Sequence, residues 1–136
     1  MNESVVFSVL SRKFIDHSEA TPPKAQQVIY YSLAIGHHLG VIDCLSAALT
    51  CNLADYRAWI ATLADGSEAR RKMEGVPRYG EIVIDHSHVT MLARAFDGAL
   101  AAQTDEQQAW SHAMLGWLAA IQQESAVYIM VRRQYD

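Results

Sequence analysis

The sequence predicts an α+β fold in which a small, largely antiparallel sheet of about three strands packs with several helices. Three observations carry this. Alternating apolar runs occur near residue 5, over 81–85 and over 126–131, and alternation marks a half-buried strand. Between them lie longer stretches whose apolar residues recur at helical spacing. The chain has 136 residues, 51% of them hydrophobic, which suffices for one core and is too little for two well-formed domains. We therefore expect one domain over 1–136, organised around a buried central helix at about 22–51.

Residues 5–15, VVFSVLSRKFI, place Val5, Phe7 and Val9 on one side of an alternating pattern and read as the first strand. Asp16 to Pro23 is a polar connector. Thr21-Pro22 then resembles a helix start, with Thr21 as N-cap and Pro22 in the first turn. From Lys24 to Cys51 the only formal charge after the lysine is Asp43. Val28, Tyr31, Ile35 and Leu39 share one helical face, and Ile29 and Leu33 another, so this segment is expected to be buried on several sides. Gly40 is a candidate break between two abutting helices.

Asn52 is a candidate N-cap for a helix over 53–64, with Leu53, Tyr56, Trp59, Ile60 and Leu63 on one face. Ser67 caps a short charged helix, EARRKME, expected to end at Gly75, with Val76 to Gly80 as a turn. EIVID at 81–85 is the second strand, and Asp85 or Ser87 can cap the next helix. Val89, Leu92, Ala93, Phe96, Ala99 and Leu100 form the apolar stripe of that helix. Thr104 and Gln107 form a capping box for the last helix, which buries Trp110, Met114, Trp117, Leu118 and Ile121. AVYIMV at 126–131 is the third strand, closed by Arg132-Arg133. Two helices between the second and third strands return the chain to the end it left, so those strands should run antiparallel if they are neighbours.

The formal charge of −4, without a block of like charges, does not suggest nucleic-acid binding. Gln26, Gln27, Ser32, His37, His38 and Asp43 interrupt the apolar run that a membrane span needs, so no membrane insertion is expected. Residues 1–20 lack a long apolar region, and a cytoplasmic location is expected. Cys44 and Cys51 are seven apart. On a continuous helix that is about 10 Å along the axis, too far for a disulfide.

Two places concentrate chemistry. The first is the polar knot Gly36, His37, His38, Gly40, Asp43 and Cys44 inside the apolar segment. Imidazole and thiolate can ligate nickel or iron, but adjacent histidines point about 100° apart on a helix and seven residues is too long for shared ligation on a straight one. Hydrogen-bonded histidines and an inert core thiol explain the same residues. Asp43 could act as an acid in a pocket; pairing with an arginine or a helix terminus is the plainer account of it. The second place is Arg70, Arg71 and Lys72, followed by Arg78 and Tyr79; a solvated helix face is the plainer account of it. Trp59 or Trp110, if exposed, would offer an interface anchor. No nucleophile elbow, phosphate loop or dinucleotide fingerprint occurs, so no catalytic residue, cofactor or resident metal is expected.

The runs VVFSVLSRKFID, AQQVIYYSLAIGHHLGVIDCLSAALTC, GSEARRKMEGVPRYGEIVID and YIMVRR resemble, along the whole chain, the formate hydrogenlyase maturation proteins of the HycH type. Departures concentrate at 16–24, 52–57 and 97–123. The resemblance implies an accessory protein, not an enzyme, needed for the precursor of a nickel–iron (NiFe) hydrogenase large subunit to mature. It implies as partner that precursor or a formate hydrogenlyase assembly intermediate. No set of site residues comes with it. On this basis His37, His38, Arg70, Arg71, Lys72, Arg78 and Tyr79 are candidate partner-binding residues. The alternative, nickel or iron handling by His37, His38, Cys44 and Asp43, stays open at this level.

Overall fold

A computed structural model describes residues 3–11 and 48–135. These form a four-stranded sheet with helices packed on it, the expected α+β class. The strands are β1 (Glu3–Ser11), β2 (Leu49–Asn52), β3 (Glu81–Ile84) and β4 (Val127–Tyr135), in the order β2-β1-β4-β3. All neighbours are antiparallel. The helices are α1 (Leu53–Ile60), α2 (Glu68–Tyr79), α3 (Val89–Ala99) and α4 (Asp105–Gln123). Single 3₁₀ turns at His86–His88 and Leu100–Ala102 flank α3.

Period-two alternation sets the register. Val5, Phe7, Val9 and Ser11 of β1 are buried while the residues between them are half-buried. Phe7 stands opposite Leu49 on one side and Val131 on the other, and Val131 opposite Ile82. The next row joins Val9, Ile129 and Ile84. A one-residue slip would turn both rows away from the helices, so burial specifies this pairing. On the opposite face Arg132 meets its cross-strand partner Glu81 at 3.0 Å.

Two strands differ from the sequence reading, and the helix expected over 53–64 ends at Ile60. β4 continues past Arg132-Arg133 to Tyr135, because Glu3 and Ser4 of the long β1 supply ladder partners for Tyr135 and Gln134. β2 is an extra, fourth strand. It occupies the end of the expected central helix, where Leu49 to Cys51 pair with Phe7 to Val5, so those residues are strand rather than helix. The rest of that helix, to residue 47, lies outside the described residues. β3 and β4 are antiparallel neighbours, as the paired helices between them require.

Three of the four helices, and the 3₁₀ turn before α3, start where a side chain accepts an otherwise orphaned N–H. Asn52 accepts from Asp55 N at 2.7 Å and Ser67 from Arg70 N at 3.2 Å. Thr104 and Gln107 exchange both bonds of a capping box. Asp85 accepts from Ser87 N at 2.9 Å and opens the 3₁₀ turn before α3.

The main correction concerns α2. It does not end at Gly75 but passes through Gly75 and Pro77 to Tyr79, where Gly80 caps it at φ +91. A proline inside a helix removes one donor and leaves the carbonyl four residues earlier unbonded. Here that carbonyl is Met73 O, and the Tyr56 hydroxyl of α1 donates to it at 2.7 Å. Arg133 Nη1 donates to Pro77 O at 2.6 Å, satisfying a carbonyl of the last turn. Gly75 is needed for closeness: a Cβ there would stand 2.8 Å from Ile82 Cγ2, so no larger residue lets α2 lie this near β3.

Trp59 is the hub of the core. Its ring lies 5.9 Å from Phe7, 5.2 Å from Phe96 and 5.6 Å from Trp110. It is completely buried, which removes it as an interface anchor; Trp110 is half-buried against its edge. A closed polar circuit surrounds it. Trp59 Nε1 donates to Ser111 Oγ at 2.9 Å, Ser111 to Gln103 Oε1 at 2.7 Å, Gln103 Nε2 to Thr62 Oγ1 at 3.0 Å, and Thr62 to Trp59 O at 2.7 Å. Every member is satisfied, so these polar groups do not penalise the core.

Candidate functional site

Helical spacing builds a cleft between α1 and α2. On α2, Arg70, Glu74, Pro77 and Arg78 are at i, i+4, i+7 and i+8 and share one face, beside the buried row Ala69, Met73, Val76. On α1, Arg57 and Ile60 are three apart and face them. The cleft between the helices encloses about 420 Å³. Had α2 ended at Gly75, Arg78 would not stand on this face. The Tyr56 bond that tolerates Pro77 is therefore also what places Arg78.

Three guanidiniums and one carboxylate line this cleft. Arg70 is held by Glu74 and Asp65, each at 3.7 Å, and lies 3.4 Å from Leu63 O. Those distances exceed the 2.7–2.9 Å of a tight charge-assisted bond. Arg57 and Arg78 are exposed and make no ion pair among the described residues. Ala61 and Pro77 add apolar lining beside these charges, with Ile60 buried beneath them. A second hollow of about 470 Å³ lies between α2 and α3, lined by residues such as Ala69, Met91, Ala95 and Ala99; it is mostly apolar and gathers no comparable set of charges.

The structure thus divides the basic cluster. Arg70 and Arg78 enter the cleft. Arg71 is exposed elsewhere, with Nη2 3.4 Å from Gly66 O. Lys72 is half-buried, and burial lowers its pKa, partly opposed by the charge of Asp85. Tyr79 projects at the end of α2, 75% exposed. His37, His38, Asp43 and Cys44 lie outside the described residues. Arg57 was missed by sequence reasoning, which read α1 only for its apolar face.

Two other titratable groups belong to the scaffold. Cys51 is buried, and desolvation with the nearby charges of Asp55 and Glu106 pushes its thiol up to about 11, so it stays protonated and poorly nucleophilic at neutral pH. His88 accepts the Asp85 N–H on Nδ1 at 3.0 Å, which requires that nitrogen to be unprotonated. Burial, then the charge of Lys72, lowers its pKa below the ordinary 6.5, with Asp85 opposing. The 3.2 Å approach of Nδ1 to Asp85 Oδ1 is thus part of the cap rather than an ion pair. Among the described residues no three His, Cys, Asp or Glu side chains gather closely enough to hold a metal ion, and no helix is long and apolar enough to cross a membrane.

The comparisons with known proteins agree with one another. A family profile described as formate hydrogenlyase maturation protein HycH matches residues 4–133. The chain is 71% identical to the formate hydrogenlyase maturation protein HycH of Escherichia coli strain K12, over the full length of both. The protein of the same name from Escherichia coli O157:H7 matches equally. Hydrogenase-4 component J of strain K12 is 48% identical over 129 residues, covering 95% of this chain and 93% of its own. No solved structure matches significantly. The chain belongs to the family of formate hydrogenlyase maturation proteins of the HycH type.

Proposed function

We propose that this chain is a maturation accessory protein for a formate hydrogenlyase. It binds the precursor of the NiFe hydrogenase large subunit in the cytoplasm and holds it until it is complete. It works by association and transforms no substrate. The observation that carries this reading is full-length identity of 71% to a protein whose name states a role in formate hydrogenlyase maturation. The 48% match to a protein named hydrogenase-4 component J ties the reading to hydrogenases a second time.

The physical rationale is selective binding. An incomplete metalloprotein exposes apolar surface and an unfilled site. A protein that binds that state and not the finished one raises its population by mass action. Arg70 and Arg78 in the α1–α2 cleft, with Arg71, Lys72 and Tyr79 elsewhere on α2, are the candidate contacts among the described residues; His37 and His38 are candidates outside them. The test is affinity capture with tagged chain, offering precursor and processed large subunit side by side. Preferential retention of the precursor is expected; retention of neither, or of both equally, overturns the reading.

A further inference from the structure

We propose that the cleft between α1 and α2 is a receptor for carboxylates, and that the segment of the partner it takes is an acidic peptide. This deepens the function proposed above and rests on it. The chain as a whole carries a formal charge of −4, yet the cleft gathers Arg57, Arg70 and Arg78 against Glu74, with Asp65 at its edge 3.7 Å from Arg70. The cleft thus holds a local excess of positive charge in a chain of net negative charge, which favours anions there.

The geometry favours carboxylates on a peptide over a diffuse polyanion. Arg57 stands on one helix and Arg78 on the other, both exposed and without an ion pair among the described residues. A guanidinium matches a carboxylate through two parallel N–H bonds, and arginine is weakly hydrated enough to give up its water at an interface. The same cleft is lined by Ala61 and Pro77, with Ile60 buried beneath, and a phosphate backbone would leave this small apolar surface unused. A short segment with two acids flanking an apolar residue satisfies both guanidiniums and covers that surface. Arg70 has a different part. Its 3.7 Å pair with Glu74 is a loose intrahelical contact that an incoming carboxylate can replace. Glu74 is thus a competitor for the ligand, and removing its charge should strengthen binding.

That last consequence separates recognition from general damage, because loss of fold cannot tighten binding. The experiment uses the full chain and purified precursor large subunit as probe, read by equilibrium titration. The proposal expects the double variant Arg57→Ala/Arg78→Ala to bind at least about tenfold more weakly, since each loses a charge pair at the interface. It expects Glu74→Gln to bind about twofold or more tightly, and wild-type binding to weaken with added salt. A hepta-glutamate peptide should compete, whereas hepta-glutamine, and inorganic phosphate at matched ionic strength, should not. If the wild type binds and both variants match it, or if phosphate competes as well as hepta-glutamate, the carboxylate receptor is wrong while the proposed function stands. If the wild-type chain does not bind the precursor at all, both fall together.

Discussion

The contact between Tyr56 and α2 makes a quantitative prediction. Pro77 deprives Met73 O of its helical donor, and the Tyr56 hydroxyl, itself buried, supplies the only side-chain bond to it among the described residues. Tyr56→Phe keeps the ring against Phe7 and Trp59 but leaves the Met73 carbonyl without that donor in the core. An unsatisfied buried acceptor costs about 1–3 kcal/mol. In a Pro77→Ala background the new backbone N–H can bond Met73 O, so the same Tyr56→Phe change should cost only about 0.5–1 kcal/mol, the net worth of a satisfied neutral bond. A double-mutant cycle by urea denaturation therefore predicts a coupling of about 0.5–2 kcal/mol between residues 21 apart in sequence, with m unchanged. Equal costs in the two backgrounds would refute the reasoning. The cycle also bears on the cleft, because the same bond holds the last turn of α2 that carries Arg78.

Other parts of the scaffold can be tested in the same way. Ser111→Ala breaks the circuit around Trp59 and leaves both its indole N–H and Gln103 Oε1 without this partner, a loss of about 1–3 kcal/mol in chemical denaturation. Gly80→Ala forces a side chain into the left-handed region at φ +91 and should lose about 1–2 kcal/mol, although nothing crowds the site. Gly98→Ala, also uncrowded and on an exposed stretch of α3, should gain about 0.5–1 kcal/mol in the same assay. His88 gives a pH dependence. Its folded pKa lies below its ordinary 6.5, so the unfolded state takes up more protons in the window between the two values. Stability therefore rises with pH across that window and is lost as pH falls through 6.5. His88→Asn, which keeps a cap acceptor and does not titrate, should flatten that part of a stability–pH profile; an unchanged slope would contradict the assignment.

Local signals made much of this fold legible. Asn52, Ser67, Asp85 and the Thr104–Gln107 box each act within three residues, and all four start a helix or a 3₁₀ turn in the structure. The alternation in β1 and β3 survives because burial enforces it, and in β4 Val127, Ile129 and Val131 keep their inward places although Tyr128 is buried too. What escaped the sequence was non-local. A proline in a helix reads as a stop unless a hydroxyl 21 residues earlier is known to reach the orphaned carbonyl. Leu49 to Asn52 end an apolar run with helical spacing, and only pairing with β1 makes them a strand. The candidate site was half legible for the same reason. Arg70 and Arg78 were visible as part of a basic cluster, but Arg57 joins them only through the packing of α1 on α2.

The central claim is that the chain distinguishes an unfinished large subunit from a finished one. It is tested most directly by the ratio of dissociation constants for the two, measured with purified components under one set of conditions. A ligand equally tight for two states shifts neither, so the ratio is the quantity that matters. The account predicts that the precursor binds at least about tenfold more tightly than the processed subunit, about 1.4 kcal/mol of preference. Equal constants, or tighter binding of the processed form, would contradict it.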